Sequence, residues 1–309
     1  MRPVLMRFPI LALAGALAVG CGGSGGSQPT TPTPTPAPAA STPACAVAPN
    51  ETPGPVTDPD GPFFHQVVAA RTSDGVSIRD ARQVLDHASV PDGVRMSDGS
   101  IRIYYVNGAE GAVWVARMDG DLVTPIAPIS LDGVLRPRGV VDPDATRLSD
   151  GRIRLAYLSG FGAPGSATVR AMCLADSTDG ERFTVVGAAV SFGAGDTTTD
   201  PSMVRLRSGN WLMAMSRGQT TVLARSGDGA IFTVGETLSF GGVPELATTG
   251  DGRVRLYVCA NGIESYVSAN DGATWQREAT VVAPGGSARI VCDPSMVAET
   301  DVFLYKTAG

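Results

Sequence analysis

Lysine is almost missing from this 309-residue chain: Lys306 stands alone, and His65 and His87 are the only histidines. So few histidines leave little room for imidazole-based acid–base or nucleophile chemistry. No Gly-x-Ser-x-Gly elbow occurs in the strand-rich part, which argues against a serine hydrolase. No His or Cys falls at a metal-type spacing, and both histidines read as ordinary surface or loop residues. After Val19 no apolar run approaches the length needed to cross a bilayer. No convincing amphipathic helix appears. The scarcity of lysine against many arginines is read as a matter of genome base composition.

The first twenty residues are different in kind. Arg2 and Arg7 give a positive start, Phe8 to Val19 is a short apolar run, and Ala18-Val19-Gly20-Cys21 follows. The pattern is that of a secretory signal peptide and resembles a bacterial lipobox, with Leu17 one place earlier than the usual leucine. The resemblance implies cleavage after Gly20 and lipidation of Cys21. The chain would then be held to a membrane by a lipid anchor, not a spanning helix. Gly22 after the cysteine points toward the outer membrane or cell surface. The alternative is plain secretion.

Residues 1–20 contain two arginines and no acid, so losing them would move the net charge from −6 to −8. An acidic surface argues against nucleic acid as a partner. Residues 21–62 are Gly/Ser-rich and then Thr/Pro/Ala-rich, the composition of a disordered linker. Four further cysteines, Cys45, Cys173, Cys259 and Cys292, become disulfide candidates on export. They allow three complete pairings; Cys259 with Cys292, near inner strands of neighbouring repeats, is the first expected.

From residue 63 to 309 the chain is an internal repeat. Its first half is an X-Pro segment, a strand, a Gly turn and a second strand. The copies begin Val90-Pro91-Asp92, Asp142-Pro143-Asp144, Asp200-Pro201-Ser202, Val243-Pro244-Glu245 and Asp293-Pro294-Ser295. The prolines lie 52, 58, 43 and 50 residues apart, the length of a four-stranded propeller blade. The second half carries hairpin turns such as Ser177-Thr178-Asp179-Gly180, Ser226-Gly227-Asp228-Gly229 and Ser268-Ala269-Asn270-Asp271-Gly272, with weaker copies at Ser73-Asp74-Gly75 and Met118-Asp119-Gly120. In these turns the acid caps amides and the glycine takes positive φ. The domain opens with a second half and ends with a first half. An all-β, five-bladed β-propeller is therefore expected, closed by N- and C-terminal strands sharing one blade, and monomeric.

In such a ring the X-Pro segments begin the strands that line the channel. Residues two apart in a strand share a face. Asp92, Asp142, Asp144, Asp200, Glu245 and Asp293 should then crowd one mouth of the channel. Crowded carboxylates raise one another's pKa and can divide into acid and base. They can also hold Ca²⁺, although no cofactor or metal is required. The Gly-rich Gly160 to Gly165 lies between strands and reads as a loop over the mouth, not a phosphate cradle.

Asp200-Pro201-Ser202-Met203-Val204-Arg205-Leu206, followed by Ser-Gly and Ser-x-Asp-Gly turns, resembles the five-bladed furanosidase-type glycoside hydrolases: arabinanases, β-xylosidases and levansucrases. The resemblance implies Asp142 as base, Asp200 as the Asp that tunes pKa and orients substrate, and Glu245 as acid. It departs from the family where Glu245 follows its proline and where the first copy has Val90 before Pro91. The Asp-box turns also resemble sialidases, which would call on arginines such as Arg136, Arg138 and Arg289 and on Tyr266 or Tyr305. The expected function is a surface-tethered, carbohydrate-directed propeller, with catalytic Asp142, Asp200 and Glu245 and with Asp92, Asp144, Asp293, Arg138 and Arg289 on the carbohydrate. The alternative is a non-catalytic glycan- or protein-binding lipoprotein.

Feeding a bacterial host that expresses the full chain with a palmitate analogue tests the anchor. The wild type should be labelled and C21S should not; an unlabelled wild type would leave plain secretion.

Overall fold

The computed structural model describes residues 44–50, 56, 58–161, 170–193, 195–285 and 288–309. The lipobox, Cys21 and most of the linker lie outside the described residues, as does most of the Gly160 to Gly165 loop. Among the described residues, 22 strands form five sheets. The first two strands are β1 (His65–Thr72) and β2 (Ile78–Asp86). Blade one follows as β3 (Ala88–Arg95), β4 (Ile101–Asn107), β5 (Ala112–Asp119) and β6 (Leu122–Pro128). A small hairpin, β7 (Ser130–Leu131) and β8 (Val134–Leu135), pairs onto the outer edge of blade two. That blade is β9 (Val140–Arg147), β10 (Ile153–Ser159), β11 (Ala171–Ser177) and β12 (Arg182–Ser191). Blade three is β13 (Thr199–Arg205), β14 (Trp211–Arg217), β15 (Thr220–Ser226) and β16 (Thr233–Leu238). Blade four is β17 (Pro244–Thr248), β18 (Val254–Ala260), β19 (Gly262–Ser268) and β20 (Gln276–Val282).

The last strands, β21 (Ile290–Met296) and β22 (Val302–Ala308), complete blade five in the order β21-β22-β1-β2. His65 to Arg71 face Ala308 to Val302 in unbroken antiparallel register. The seam joins both ends of the repeat region inside one sheet, so no strand edge is left open there. The five-bladed ring and its closing blade are as the repeat phase predicts.

Strand alternation builds the core. Leu155 and Tyr157 pack with Tyr104 and Val115 of blade one, whereas Ala156 and Leu158 pack with Met213 and Met215 of blade three. Blades three and four meet through Leu212, Leu223 and Leu256, blades four and five through Tyr257 and Phe303, and blades five and one through Leu304 and Ile103. Each interface thus has its own core, and each fully buried aliphatic side chain contributes about 1.5–3 kcal/mol.

The Asp-box turns lock the rim. Ser177 Oγ accepts from the Gly180 N–H at 2.8 Å, and Asp179 Oδ1 accepts from Glu181 and Arg182. The same bonds recur at Ser226 and Asp228. Each box is also gripped by the preceding blade. The Tyr104 hydroxyl donates to the Gly180 carbonyl, Arg154 to Gly229, Arg225 to Asp271, Tyr257 to Gly75, and Arg71 to Gly120. Gly180 has φ of 76°, and a Cβ there would meet the Tyr104 hydroxyl at 2.9 Å, so glycine is required both for the turn and for the grip.

Two disulfides form, Cys259–Cys292 as expected and Cys45–Cys173. They fit an oxidising, extracytoplasmic setting. Cys45 is buried at 6% exposure, Asn50 donates to the Gly111 carbonyl, and Pro49 bridges Pro137. The stretch 44–50 therefore belongs to the folded domain, which begins before residue 63. Its Pro/Ala composition hid this, because the bond to Cys173 and not local pattern ties it down. The cross-links span 128 and 33 residues of chain. Loop-closure entropy then predicts losses of about 5 and about 4 kcal/mol for the C45A/C173A and C259A/C292A pairs. Urea unfolding should show the first loss at least as large as the second, and an unchanged midpoint for C45A/C173A would exclude its structural role.

Candidate functional site

The inner strands are not regular where the acids sit. Val90, Asp142, Asp200 and Asp293, each before a proline, adopt φ of 47°, 54°, 50° and 49°. The ladder slips there: between Ser89 and Asp92, between Thr199 and Ser202, and between Cys292 and Ser295. Blade two slips likewise, opposite Ala156 to Leu158. A proline with no N–H to give is tolerated at such a bulge. The bulge also turns the chain by one residue. The side chains before and after proline therefore do not share a face, contrary to the regular-strand expectation, and the six carboxylates separate into two tiers.

The tier before proline gathers around the sole lysine. Lys306 Nζ lies 2.7 Å from Asp293 Oδ2, which also accepts from the Val90 N–H, while Asp293 Oδ1 is buried without a partner. Asp142 Oδ2 accepts from the Asp200 N–H at 3.3 Å, and Thr199 Oγ1 donates to Asp200 Oδ2. Burial first, and the Asp200 charge second, push Asp142 well above the usual carboxylate range. Burial and Asp293 push Asp200 up to about 6. Among the described residues, Lys306 is the lysine whose charge these three acids share. His65, expected at the surface, is buried instead. It is 5% exposed, bonds Ser89 Oγ through Nδ1, and burial and Lys306 lower its pKa.

The tier after proline closes on itself. Asp92 Oδ2 accepts from Ala145 N–H at 2.6 Å, Asp144 Oδ2 from Met203 N–H, and Ser202 Oγ from Leu246 N–H. Glu245 Oε1 accepts from Met296 N–H, and Ser295 Oγ from Gly93 N–H. Each blade accepts from the next, once around the ring. Ser202 donates its hydroxyl to Glu245 Oε2 at 2.8 Å and Ser295 to Asp92 Oδ1 at 2.7 Å. One oxygen each of Asp92, Asp144 and Glu245 lies within 4.8 Å of the others. Burial pushes Asp92 up to about 6. Asp144 and Glu245 rise well above the usual range, from burial first and then from the neighbouring acids. These three oxygens are also a suitable donor set for a hard cation such as Ca²⁺, which takes oxygens at roughly 2.3–2.6 Å.

Asp92, Asp144 and Glu245 line the inner end of a cavity of about 730 Å³ that extends to the turns between first and second strands. Asp142, Asp200 and Glu245 line one narrow channel pocket of about 20 Å³ together with the other three acids, but their partners split: the first two belong to the tier of Lys306, and Glu245 joins Asp92 and Asp144. Neither Arg138 nor Arg289 lines this cavity. Arg289 is exposed and pairs with Asp60 at 2.8 Å, Arg136 pairs with Glu110 at 2.9 Å, and the Arg138 backbone N–H donates to Ala48. The channel acids are not locked by blade arginines, since Arg154 pairs with Asp176 and Arg255 with Glu278.

No known family profile matches the chain, and no curated protein does. Solved structures do match its fold. A thermostable family-43 glycoside hydrolase superposes with a TM-score of 0.55 at 12% identity, covering 71% of this chain and 83% of that one. A β-fructofuranosidase from Schwanniomyces occidentalis gives 0.54 at 12%, covering 78% and 54%. An endo-arabinase from Bacteroides thetaiotaomicron gives 0.51 at 15%, covering 66% and 84%. The chain is a five-bladed propeller resembling furanosidase-type glycoside hydrolases at low identity, and the likeness is one of fold.

The raised carboxyls set a pH dependence. Their ordinary values lie near 4, and the folded chain holds their protons to about 6 or beyond. Their contribution to stability is full below about pH 4 and lost as pH rises through the folded values. The Asp-box and turn acids act oppositely, but at lower pH: Asp98, Asp179 and Asp251 are held down to about 2. The melting temperature should therefore fall between pH 5 and pH 8. In D144N, where an amide oxygen can still accept from Met203, the fall should be shallower and the pH 8 value higher. Parallel curves for wild type and variant would show that Asp144 ionises normally.

Proposed function

We propose that the chain is an extracytoplasmic glycoside hydrolase of the furanosidase type, tethered through Cys21, that works at the cavity ending on Asp92, Asp144 and Glu245. One observation carries this reading. A carboxyl that keeps its proton, Glu245, lies beside one poised at about 6, Asp92, at the inner end of a cavity large enough for a short saccharide. Two carboxyls whose environments push their pKa values apart are what acid-assisted glycoside cleavage requires. Glu245 gives its proton to the leaving oxygen, Asp92 is the ionised partner, and Asp144 helps keep Glu245 protonated. The spacing within 4.8 Å is nearer the ~5–5.5 Å of retaining enzymes than the ~6.5–9.5 Å that leaves room for an attacking water. Asp142 and Asp200, in the other tier, keep the field around Lys306 and support the site from behind.

A second reading, glycan binding without cleavage, has its own observation. Both oxygens of Glu245 and both of Asp92 already accept hydrogen bonds.

A panel of aryl furanosides and pyranosides separates the two. The wild type should turn over at least one, with a rate that rises through about pH 6 as Asp92 ionises. E245Q should lose about 10²–10⁴-fold in kcat while folding and melting cooperatively, no less stable than the wild type at pH 8. Saccharide binding without turnover across the panel would favour the second reading, and full activity in E245Q would remove Glu245 from the chemistry.

A further inference from the structure

The outer part of the same cavity repeats a second residue type. Four positions after the recurring proline, blades one, two and three carry Arg95, Arg147 and Arg205, where blades four and five carry Thr248 and Ala298. The register is equivalent in all three: each arginine ends the inner strand and faces the first residue of the next strand, Ile101, Ile153 or Trp211. All three line the cavity and are exposed. Most other arginines of the blades, such as Arg117, Arg154 and Arg255, are paired with acids, while Arg170 and Arg207 reach only backbone carbonyls. The Arg147 side chain makes no hydrogen bond or ion pair among the described residues. Arg205 reaches only the Gly209 carbonyl, at a long 3.4 Å, and Arg95 approaches Glu299 at 3.8 Å. Three guanidinium groups from blades one to three line one cavity, which Asp150, Asp228 and Glu299 also line; of the three only Arg95 has an acid within ion-pair distance among the described residues. Such an arrangement favours an anion, and the planar fork of arginine suits a carboxylate.

We propose that this mouth of the channel binds the carboxylate of an acidic sugar, a hexuronate unit, with Arg147 and Arg205 as the principal contacts and Arg95 as the third. The sugar class rests on the carbohydrate reading of the inner end, where carboxyls that keep their protons can donate to ring hydroxyls. A bare anion site would not need them. The blades without arginine, four and five, leave room beside the cationic side for the rest of the saccharide.

Titration calorimetry of the intact chain with trigalacturonate, with galactotriose as the neutral counterpart, tests this without any turnover. The wild type should bind the acidic trimer at least 10-fold more tightly than the neutral one, and the preference should shrink in 0.5 M NaCl. R147Q/R205Q, altered only at exposed positions, should melt like the wild type, lose 10-fold or more in affinity for the acidic trimer and keep its affinity for the neutral one. Equal binding of both trimers, or an unchanged variant, overturns the proposal. A sulfated galactotriose that binds as tightly as the uronate overturns its carboxylate assignment. Turnover of neutral glycosides without uronate preference would sink this inference alone, and uronate binding without turnover would sink only the hydrolytic reading.

Discussion

Five hydrogen bonds that run from blade to blade around the channel constrain everything else in the molecule. The acceptors are Asp92, Asp144, Ser202, Glu245 and Ser295; the donors are backbone N–H groups of Ala145, Met203, Leu246, Met296 and Gly93. Inner strands of a propeller do not pair with one another. Their N–H groups near the axis must find partners elsewhere or remain costly orphans. One polar side chain per blade, always just after the proline, meets that need. In blades one, two, three and five a bulge precedes that side chain, whereas in blade four Glu245 reaches its neighbour from a regular ladder.

That solution brings carboxylates into a place where charge is expensive. The chain does not neutralise this inner tier with cations. Burial raises the pKa of each of its acids instead, and serines donate to Asp92 and Glu245 as well. The other tier is resolved differently, by Lys306 against Asp293. A carboxyl that retains its proton can still accept from an amide through its other oxygen, so ring closure and proton storage are compatible in one residue. The same group that holds the blades together can serve as an acid, provided that proton release does not open the ring. A backbone N–H can donate to a carboxyl oxygen in either protonation state, which meets this condition.

Much of this was legible in the sequence because it is local and repeated. The prolines, the Gly turns and the phase of the first and last hairpins specify five blades and the composite fifth one. The same repeat puts Cys259 and Cys292 near inner strands of neighbouring blades, which makes that pair the first expected among three complete pairings. What was hidden lies in backbone conformation and in distant partners. Nothing in Asp142-Pro143-Asp144 signals that Asp142 takes φ of 54°, and a regular strand would have put both acids on one face. Lys306 has no motif, and only the closure of blade five carries it to Asp293. Arg95, Arg147 and Arg205 did have a signal, their constant distance from the proline, but it means nothing until the cavity shows that the three positions share a wall. Cys45 was a disulfide candidate, but its partner was open, and the Pro-rich composition around it masks that the bond to Cys173 ties residues 44–50 to the domain.

The channel can be read as an ordered column of charge. Lysine and three aspartates fill one tier, acids that keep their protons fill the next, and arginines stand toward the turns. The order has an energetic logic. An anion held by Arg147 and Arg205 lies on the cavity side of Asp92, Asp144 and Glu245, and would disfavour their ionisation further. By linkage, protonation of these acids would in turn favour the anion. The two ends of the cavity are therefore not independent: an acidic sugar at the arginines would strengthen the proton hold on Glu245, the property that an acid catalyst at the inner end needs. A neutral sugar would leave that hold to burial and the neighbouring acids alone. Substrate charge and acid strength are thus tied by the placement of one residue type four positions beyond another on the same strands.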